Sequence, residues 1–457
     1  MLATAQWAAN WWPHDKTNAV ISILNAIPKL QRYAVAGLGP ISGAVSQFIL
    51  SLLLLRALSA SEFGSFSFLL IASLFTAGIW SALFCAPLPA LLNSATQENR
   101  TSVIRCIFGV SIIGAGTALL LFLGFGLLLG RPLPEVFLFA LYVAFFLLRW
   151  LARAYSYATG NRIRTMISDI TYSVTLLIGI GALFLFGTVT IELAYAIMLF
   201  SVVVGLLTFG WPYLKHQFAS FYPHAFRDYL PIWRTHSGWS FMGIVTTEAT
   251  VNAHVYLVTL VAGPAAYAPI AATALMIRPV GVLQNALEEF ERAHMAIDIA
   301  AGRIQAVRRS VTQFRLMLIA VLLAVALGVT AMFVFVPRII FPPQYPLIEL
   351  ATGTVLWMLV SATRVIRVPE SAMLQAAGAF RPLAWASAVS CGFSVAFVLA
   401  LLFSIGPIWS IGGIIAGEIA FSLVVLRQSR RWRSKAQKEF GSVRQDHASI
   451  LTTGDPA

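Results

Sequence analysis

Long apolar stretches alternate with short polar breaks from residue 32 to residue 427. A helix that crosses the hydrocarbon of a bilayer needs roughly 20 apolar residues. On that scale the pattern predicts about 12 transmembrane helices, near 32–58, 62–92, 102–130, 133–158, 163–187, 190–213, 236–262, 264–291, 310–336, 346–379, 381–405 and 408–427. Hydrocarbon cannot satisfy open backbone groups, and the ten-residue alternation of a membrane barrel is missing, so helices are the required element. An even number of spans returns both tails to one side. Breaks on the other side are short, and the longest, around Pro337 to Pro346, has room for little beyond a turn.

One break on the tail side is longer. Lys215 to Thr235 mixes Phe218, Phe221, Tyr222, Phe226, Tyr229 and Trp233 with Arg227, Asp228 and Arg234. Such a mixture predicts a helix lying in the headgroup layer. The chain then divides into an interfacial N-terminal segment (1–31), six spans (32–214), the linker (215–235), six more spans (236–427) and a basic tail (428–457). The halves repeat faintly. Phe63-Gly64 at the start of span 2 matches Tyr267-Ala268 at the start of span 8, and Gly160-Asn161-Arg162 before span 5 matches Gly378-Ala379-Phe380-Arg381 before span 11. Six spans apiece give both halves one orientation, which predicts a parallel repeat about an axis along the membrane normal. The expected fold is an all-α polytopic membrane protein, two such bundles enclosing a central cavity.

Composition agrees. Charged residues make up 11% of the 457 and apolar residues 59%, with a mean hydropathy of +0.81, whereas soluble domains are about a quarter charged. The net charge of +13 is spread over short loops and the tail, so topology and anionic lipid explain it and nucleic acid is not an expected partner. If the first span leaves the cytoplasm, 25 of the 31 Lys+Arg lie on the cytoplasmic side; Arg56, Arg131 and Arg338 lie opposite, and Arg278, Arg364 and Arg367 sit inside apolar stretches. The bias places both termini in the cytoplasm. The three cysteines and seven histidines show no metal or disulfide spacing. Trp7, Trp11 and Trp12 precede the first span without a cleavable signal pattern and read as an interfacial anchor.

Leu55-Arg56-Ala57-Leu58-Ser59-Ala60-Ser61-Glu62-Phe63-Gly64 resembles the hairpin between helices 1 and 2 of polysaccharide and O-antigen flippases, in the multidrug/oligosaccharidyl-lipid/polysaccharide (MOP) exporter superfamily. Gly263-Pro264-Ala265-Ala266-Tyr267 is similar to that family's helix 7–8 turn, and Met373-Leu374-Gln375-Ala376-Ala377-Gly378 followed by Arg381-Pro382-Leu383-Ala384 to its helix 10–11 turn. The Trp-rich N-terminus departs from the pattern. The resemblance implies two bundles that alternate between inward- and outward-open forms. It further implies a bacterial inner-membrane location, an undecaprenyl-diphosphate-linked oligosaccharide moved outward through a cationic cavity, and polysaccharide-assembly proteins as possible partners.

Charged groups inside the spans are the candidate site. Arg364 and Arg367 share one helical face, which continues through Trp357, Ser361, Ser371 and Gln375. An Arg at bilayer centre costs about 2.5–3.5 kcal/mol on insertion scales, so it needs an anionic substrate or an internal partner. Arg suits diphosphate because its planar fork binds oxygens in pairs and stays charged. The alternative is an ion pair, Arg367 with Glu370 or Arg364 with a carboxylate of span 12. Arg278, just before Pro279, either faces the same cavity or bridges a neighbouring helix. Arg149 and Arg153 line the cavity's inner mouth or are ordinary positive-inside residues; Arg149 corresponds to Arg367 at an offset of 218. The intramembrane carboxylates Glu248, Glu418, Asp169 and Glu370 are each candidates to bind a coupling proton or sodium ion, with coupling favoured for Glu248 and Glu418 and a salt bridge for Asp169 and Glu370. No other cofactor is expected. The glycine pairs Gly39/Gly43, Gly126/Gly130 and Gly413/Gly417 read as close-packing positions.

Two other functions compete. A lipid-oligosaccharide polymerase or ligase normally needs a large outward loop, but only Glu135, Glu192 and Glu349 with Arg131 and Arg338 are on offer there, so an enzyme is not expected. A multidrug exporter would bind amphiphilic cations through acidic and aromatic groups, which a cavity dominated by arginine repels.

Overall fold

The computed structural model describes residue 39 and residues 41–452, apart from 89–90, 93–96, 188 and 336–340. The N-terminal segment 1–31, the beginning of the first span and Arg338 lie outside the described residues. The long helices are α1 (Ile41–Ala57), α2 (Ala60–Trp80), α3 (Gln97–Leu128), α4 (Leu133–Ala158), α5 (Arg162–Leu185) and α6 (Ile191–Leu207). Two short helices follow, α7 (Trp211–Ala219) and α8 (Ala225–Ile232), and then α9 (Gly238–Ala262), α10 (Pro264–Ala300), α11 (Ile304–Phe335), α12 (Leu347–Ala376), α13 (Phe380–Ser404) and α14 (Ile411–Thr452). Among the described residues ten helices are long and apolar enough to cross a membrane, or eleven if the bent pair α6–α7 is one span, and the shorter apolar α1 precedes them. The chain is an all-α polytopic membrane protein.

Several boundaries differ from the hydropathy reading. The sixth span ends at Leu207, not near 213: the chain turns through 102° into α7, with Gly210 at φ 86° in the turn. Span 8 continues to Ala300 rather than 291, and Pro269 and Pro279 do not interrupt it; inside a membrane bundle, neighbouring helices resatisfy the groups a proline frees. Span 9 begins at Ile304 rather than 310, and the last helix runs on past 427. Apolarity marks the part that crosses hydrocarbon, whereas backbone hydrogen bonding continues into polar sequence. The linker forms α7 and α8, whose Phe218, Phe226 and Leu230 are exposed while Tyr229 is buried.

Local sequence explains the α1–α2 corner. The Ser59 hydroxyl accepts from the Glu62 amide and the Glu62 carboxylate accepts from the Ser59 amide, a reciprocal cap. Phe63 is buried, and Gly64 lets α2 touch the start of α10, where an added Cβ would fall 1.8 Å from the Pro264 carbonyl oxygen. Gly64→Ala must therefore prise the two helices apart. The expected result is raised thiol-reagent labelling of a cysteine placed at Ala265, with insertion unchanged.

Positive-φ glycines mark the repeat. Gly160 (φ 82°) and Gly378 (φ 71°) both end the turn before the fifth and eleventh spans, and Gly187 (φ 67°) and Gly406 (φ 129°) both follow those spans. Such backbone favours glycine, which has no Cβ to clash.

Two apolar clusters organise the interior. The larger joins all of the first six spans to only part of the second half: its members there include Val255 and Val258 on α9, Leu275 and Met276 on α10, Val360 on α12 and Ile414 on α14. These lie toward the end of the bundle opposite the C-terminal tail. The smaller cluster takes up the tailward ends of α10 to α14, including Met295, Val307, Val365, Ala386 and Val425, and contains no residue from the first half. The halves thus share a core at the far end, reinforced where the Gln344 side-chain amide donates to the Leu58 carbonyl, and the second half has a core of its own toward the tail.

Candidate functional site

A charged layer occupies the level where the shared core stops. On α12 it starts between Val360 of the joint cluster and Val365 of the tailward one; on α14 it falls between Ile414 and Val425. There Arg364 Nε donates to Glu418 Oε1 at 2.7 Å and Arg367 Nε to Glu418 Oε2 at 3.0 Å. Arg367 also stacks over the Phe421 ring, 4.2 Å from its centroid. Gly417 lets α14 approach α13 closely, and its carbonyl accepts from the Ser390 hydroxyl at 2.8 Å. The Glu418 side chain is 1% exposed, against 21% for Arg364 and 13% for Arg367, so the carboxylate is sealed while the guanidiniums keep an open edge. Two cations share one anion, and Arg364 Nη2 is buried without a hydrogen-bond partner. The local excess is one positive charge with an unused donor.

Arg278 stands apart from that pair. Its Nη1 donates to the Ser51 hydroxyl of α1 at 3.3 Å, and among the described residues it has no carboxylate partner. It ties the two halves together at this depth, with Tyr267 within its electrostatic reach. His254 of α9, within electrostatic reach of Arg364, is buried against Trp357 (5.4 Å) and Tyr267 (6.3 Å). Ser51 and His254 are polar groups that hydropathy alone did not single out for this layer. The i, i+4 spacing of Gln47 and Ser51 was the available signal on α1.

The first half holds a corresponding cluster. Arg149 Nη2 donates to Asp169 Oδ1 at 2.6 Å, and Arg153 Nε lies 2.8 Å from the same oxygen. Arg149 Nε donates to Ser168 Oγ, which donates onward to the Gly205 carbonyl at 2.7 Å. Gly205 is required here, because a Cβ would come within 2.8 Å of Arg149 Nε. Asp169 Oδ2 nestles against Gly39, where a Cβ would lie 2.6 Å away. Tyr172 and Trp150 cover the guanidiniums of Arg149 and Arg153, each at 4.7 Å. Arg149 and Arg367 occupy equivalent places, but their carboxylates come from different helices, α5 in one half and α14 in the other. Arg149 is 4% exposed, so this cluster is the more tightly enclosed of the two.

The remaining candidates sort differently. Glu370 does not pair with Arg367; it binds Arg315 of α11 at 2.6 Å and Ser429 and Arg433 of α14, stapling three helices near the tail. Gln375 accepts from Arg292 at 2.8 Å and faces Glu288 on α10. Glu248, half-buried on α9, accepts from Asn252 (2.9 Å) and Tyr256 (3.1 Å) and has no cationic partner among the described residues. Of the carboxylates considered for a coupling ion, Glu418, Asp169 and Glu370 are each held by two arginines, and Glu248 alone has only neutral partners. Gly126 packs on Val136 and Gly413 on Val398, while Gly43 faces open space.

Away from the charges, an apolar groove of about 840 Å³ runs between α2, α3, α8 and Tyr256 of α9. At its tailward edge the Tyr229 hydroxyl donates to the Leu83 carbonyl at 2.5 Å, and the Ser237 hydroxyl donates to the same oxygen at 2.9 Å. Burial pushes the Tyr229 phenol up to about 12, so it remains a donor throughout the physiological range.

The sequence matches no family model and no curated protein. Solved structures match in fold. An inward-facing multidrug resistance MATE family transporter of the MOP superfamily gives a TM-score of 0.65 at 13% identity, over 87% of this chain and 96% of its own. The lipid II flippase MurJ, in an inward closed conformation, gives 0.61 at 10% identity, over 92% of this chain and 93% of its own. A MOP superfamily transporter from Pyrococcus furiosus, reported with a binding pocket of reverse polarity, gives 0.57 at 13% identity, over 89% and 95% respectively. This chain has the fold of the MOP-superfamily transporters.

Proposed function

We propose that the protein is a transporter that moves an anionic, lipid-linked oligosaccharide from the cytoplasmic to the outer leaflet of a bacterial inner membrane by alternating access, with both termini cytoplasmic. The observation that carries this reading is the arginine pair on Glu418 at the level where the shared core ends: the two-to-one ratio recurs at Asp169 and Glu370, but here it lies within the spans of the second half with Arg364 Nη2 unpaired. Buried donors without partners are costly unless something completes them, and a diphosphate offers oxygens for the fork. Arg278, with only a serine as partner, adds a second uncompensated cation at a similar level. The separation of the two apolar clusters supports halves that part on the tail side while meeting at the far end.

A second reading, export of amphiphilic cations, is favoured by Glu248. It is an intramembrane carboxylate free of arginine, hydrogen-bonded to Tyr256 at the wall of an aromatic groove. In the first reading the same group has a different task, taking up the coupling proton. The test is reconstitution in vesicles with an undecaprenyl-diphosphate oligosaccharide in one arm and ethidium, an amphiphilic cation, in the other. Translocation of the anionic lipid alone supports the proposal; movement of ethidium alone overturns it. Glu248→Gln is expected to leave lipid binding intact while abolishing any acceleration by an imposed pH gradient. A Gln variant that still responds to the gradient removes Glu248 from coupling.

A further inference from the structure

The apolar groove takes no part in the charged layer, yet it occupies a telling place. Its walls belong to both halves: Phe75 and Phe84 on the α2 side and Val110 and Leu121 on α3 from the first, and Tyr256 on α9 from the second. Leu230 and Trp233 of the linker close its tailward end. From Ala72 to Phe84 it follows about 18 Å of helix. Its few polar groups are hydroxyls and the indoles of Trp80 and Trp233, no carboxylate or cation is among its lining residues, and the Tyr256 hydroxyl is already given to Glu248. Open along one side, where Leu121, Phe125, Phe226 and Leu230 are exposed, it still reaches the size range of ligand sites, about 300–1,000 Å³. Its lower edge is built by two single-turn π-helices, Ser81–Cys85 and Trp233–Ser237, fastened by Tyr229 and Ser237 to the Leu83 carbonyl.

A lipid-linked cargo sets conflicting demands. Its head must pass through a polar centre, while each methylene of its tail brought into water costs about 0.8 kcal/mol. The tail must therefore stay in an apolar place beside that centre, and the groove at the seam between the halves provides one within the protein. We infer that this groove holds the isoprenoid tail of the cargo while the diphosphate-linked head engages the central arginines. Arg227 and Arg234, exposed on the linker that floors the groove, complement an arriving diphosphate. The inference rests on the cargo reading above. Glu248 reaches this groove only through the Tyr256 hydroxyl and does not line it, so a cation seated here would meet no carboxylate directly. An ordinary phospholipid can wet any apolar face; position in the seam singles out the cargo's tail.

The experiment uses the purified full-length protein in vesicles of phosphatidylethanolamine and phosphatidylglycerol. A polyprenyl-diphosphate oligosaccharide with a diazirine in its tail is photolysed, with a phosphatidylglycerol carrying the same group as the parallel arm. The expected adducts of the prenyl compound map to 72–84 and 110–125, fall about tenfold in Thr117→Trp and Leu121→Trp, and are displaced by unlabelled polyprenyl diphosphate but not by phosphatidylglycerol. Equal labelling by the phosphatidylglycerol compound, or labelling indifferent to both Trp variants, overturns the inference. A tail-less diphosphate oligosaccharide reports on the head site separately. If it binds in an Arg364-dependent manner while tail labelling misses the groove, the tail site falls and the cargo reading stands. If it fails to bind, the cargo reading falls and takes this inference with it.

Discussion

Arg364→Ala is expected to lower export of the lipid-linked oligosaccharide about a hundredfold or more, in a protein that still inserts and folds. The physical reason is charge stoichiometry. In the wild type Glu418 balances only one of two guanidiniums, and the surplus is what an anion would meet. After removal of Arg364 the site holds one cation and one anion, so Arg367 and Glu418 satisfy each other and no buried carboxylate is abandoned. Charge-assisted hydrogen bonds contribute about 1.5–3 kcal/mol each, and a fork that loses two of them loses roughly two to four orders of magnitude in affinity. Arg364→Lys should recover part of the loss, since it restores the charge but not the bidentate geometry. Glu418→Gln should act the other way on binding, tightening the grip on anions at a cost in stability. Export of the Ala variant at the wild-type rate, measured at equal membrane abundance, would remove the arginine pair from the mechanism.

Asp169→Asn is expected to be among the most destabilising single changes in the chain. Asp169 is the counter-charge reached by both Arg149 and Arg153, and the cluster is enclosed by Tyr172, Trp150, Gly39 and Gly205. Breaking a buried pair by removing one partner typically costs about 3–5 kcal/mol, because the other charge stays buried and uncompensated. Thermal unfolding in detergent should show a marked drop. Adding Arg149→Met to Asp169→Asn should recover part of it, because the more buried of the two orphaned guanidiniums is gone and an apolar chain fills its place, while Arg153 stays without its anion. A purely additive double mutant would show that the pair is not coupled. The same logic separates the two clusters: the enclosed one in the first half holds its helices together, and the more open one in the second half has an edge to offer a ligand.

Much of this was written in the order of residues. Periodic apolar stretches of bilayer length mark the helices, and Gly160 and Gly378, which the sequence places in matching turns, both take positive φ. Ser59 and Glu62 announced a capped helix start. Helix ends were legible only where a glycine or proline marked them; where polar sequence continued the helix, as beyond Arg427, hydropathy stopped too early. Arg364 and Arg367 were recognisable as charges in oil. Their partner was among two alternatives, and the choice of Glu418 over Glu370 depended on which helices lie beside α12.

The sequence alone determined that this chain spans a membrane many times, that its basic residues gather on one side, and that a few charges must be reconciled with hydrocarbon. Those follow from transfer free energies and from one-dimensional spacing, which each segment carries by itself. Only the tertiary structure decided which carboxylate meets which arginine, that Glu248 is left with neutral partners, and that an apolar groove opens along the seam. Such facts depend on distances between helices far apart in the chain, where close approach is set by small residues such as Gly39, Gly205 and Gly417 and by the shape of everything packed around them.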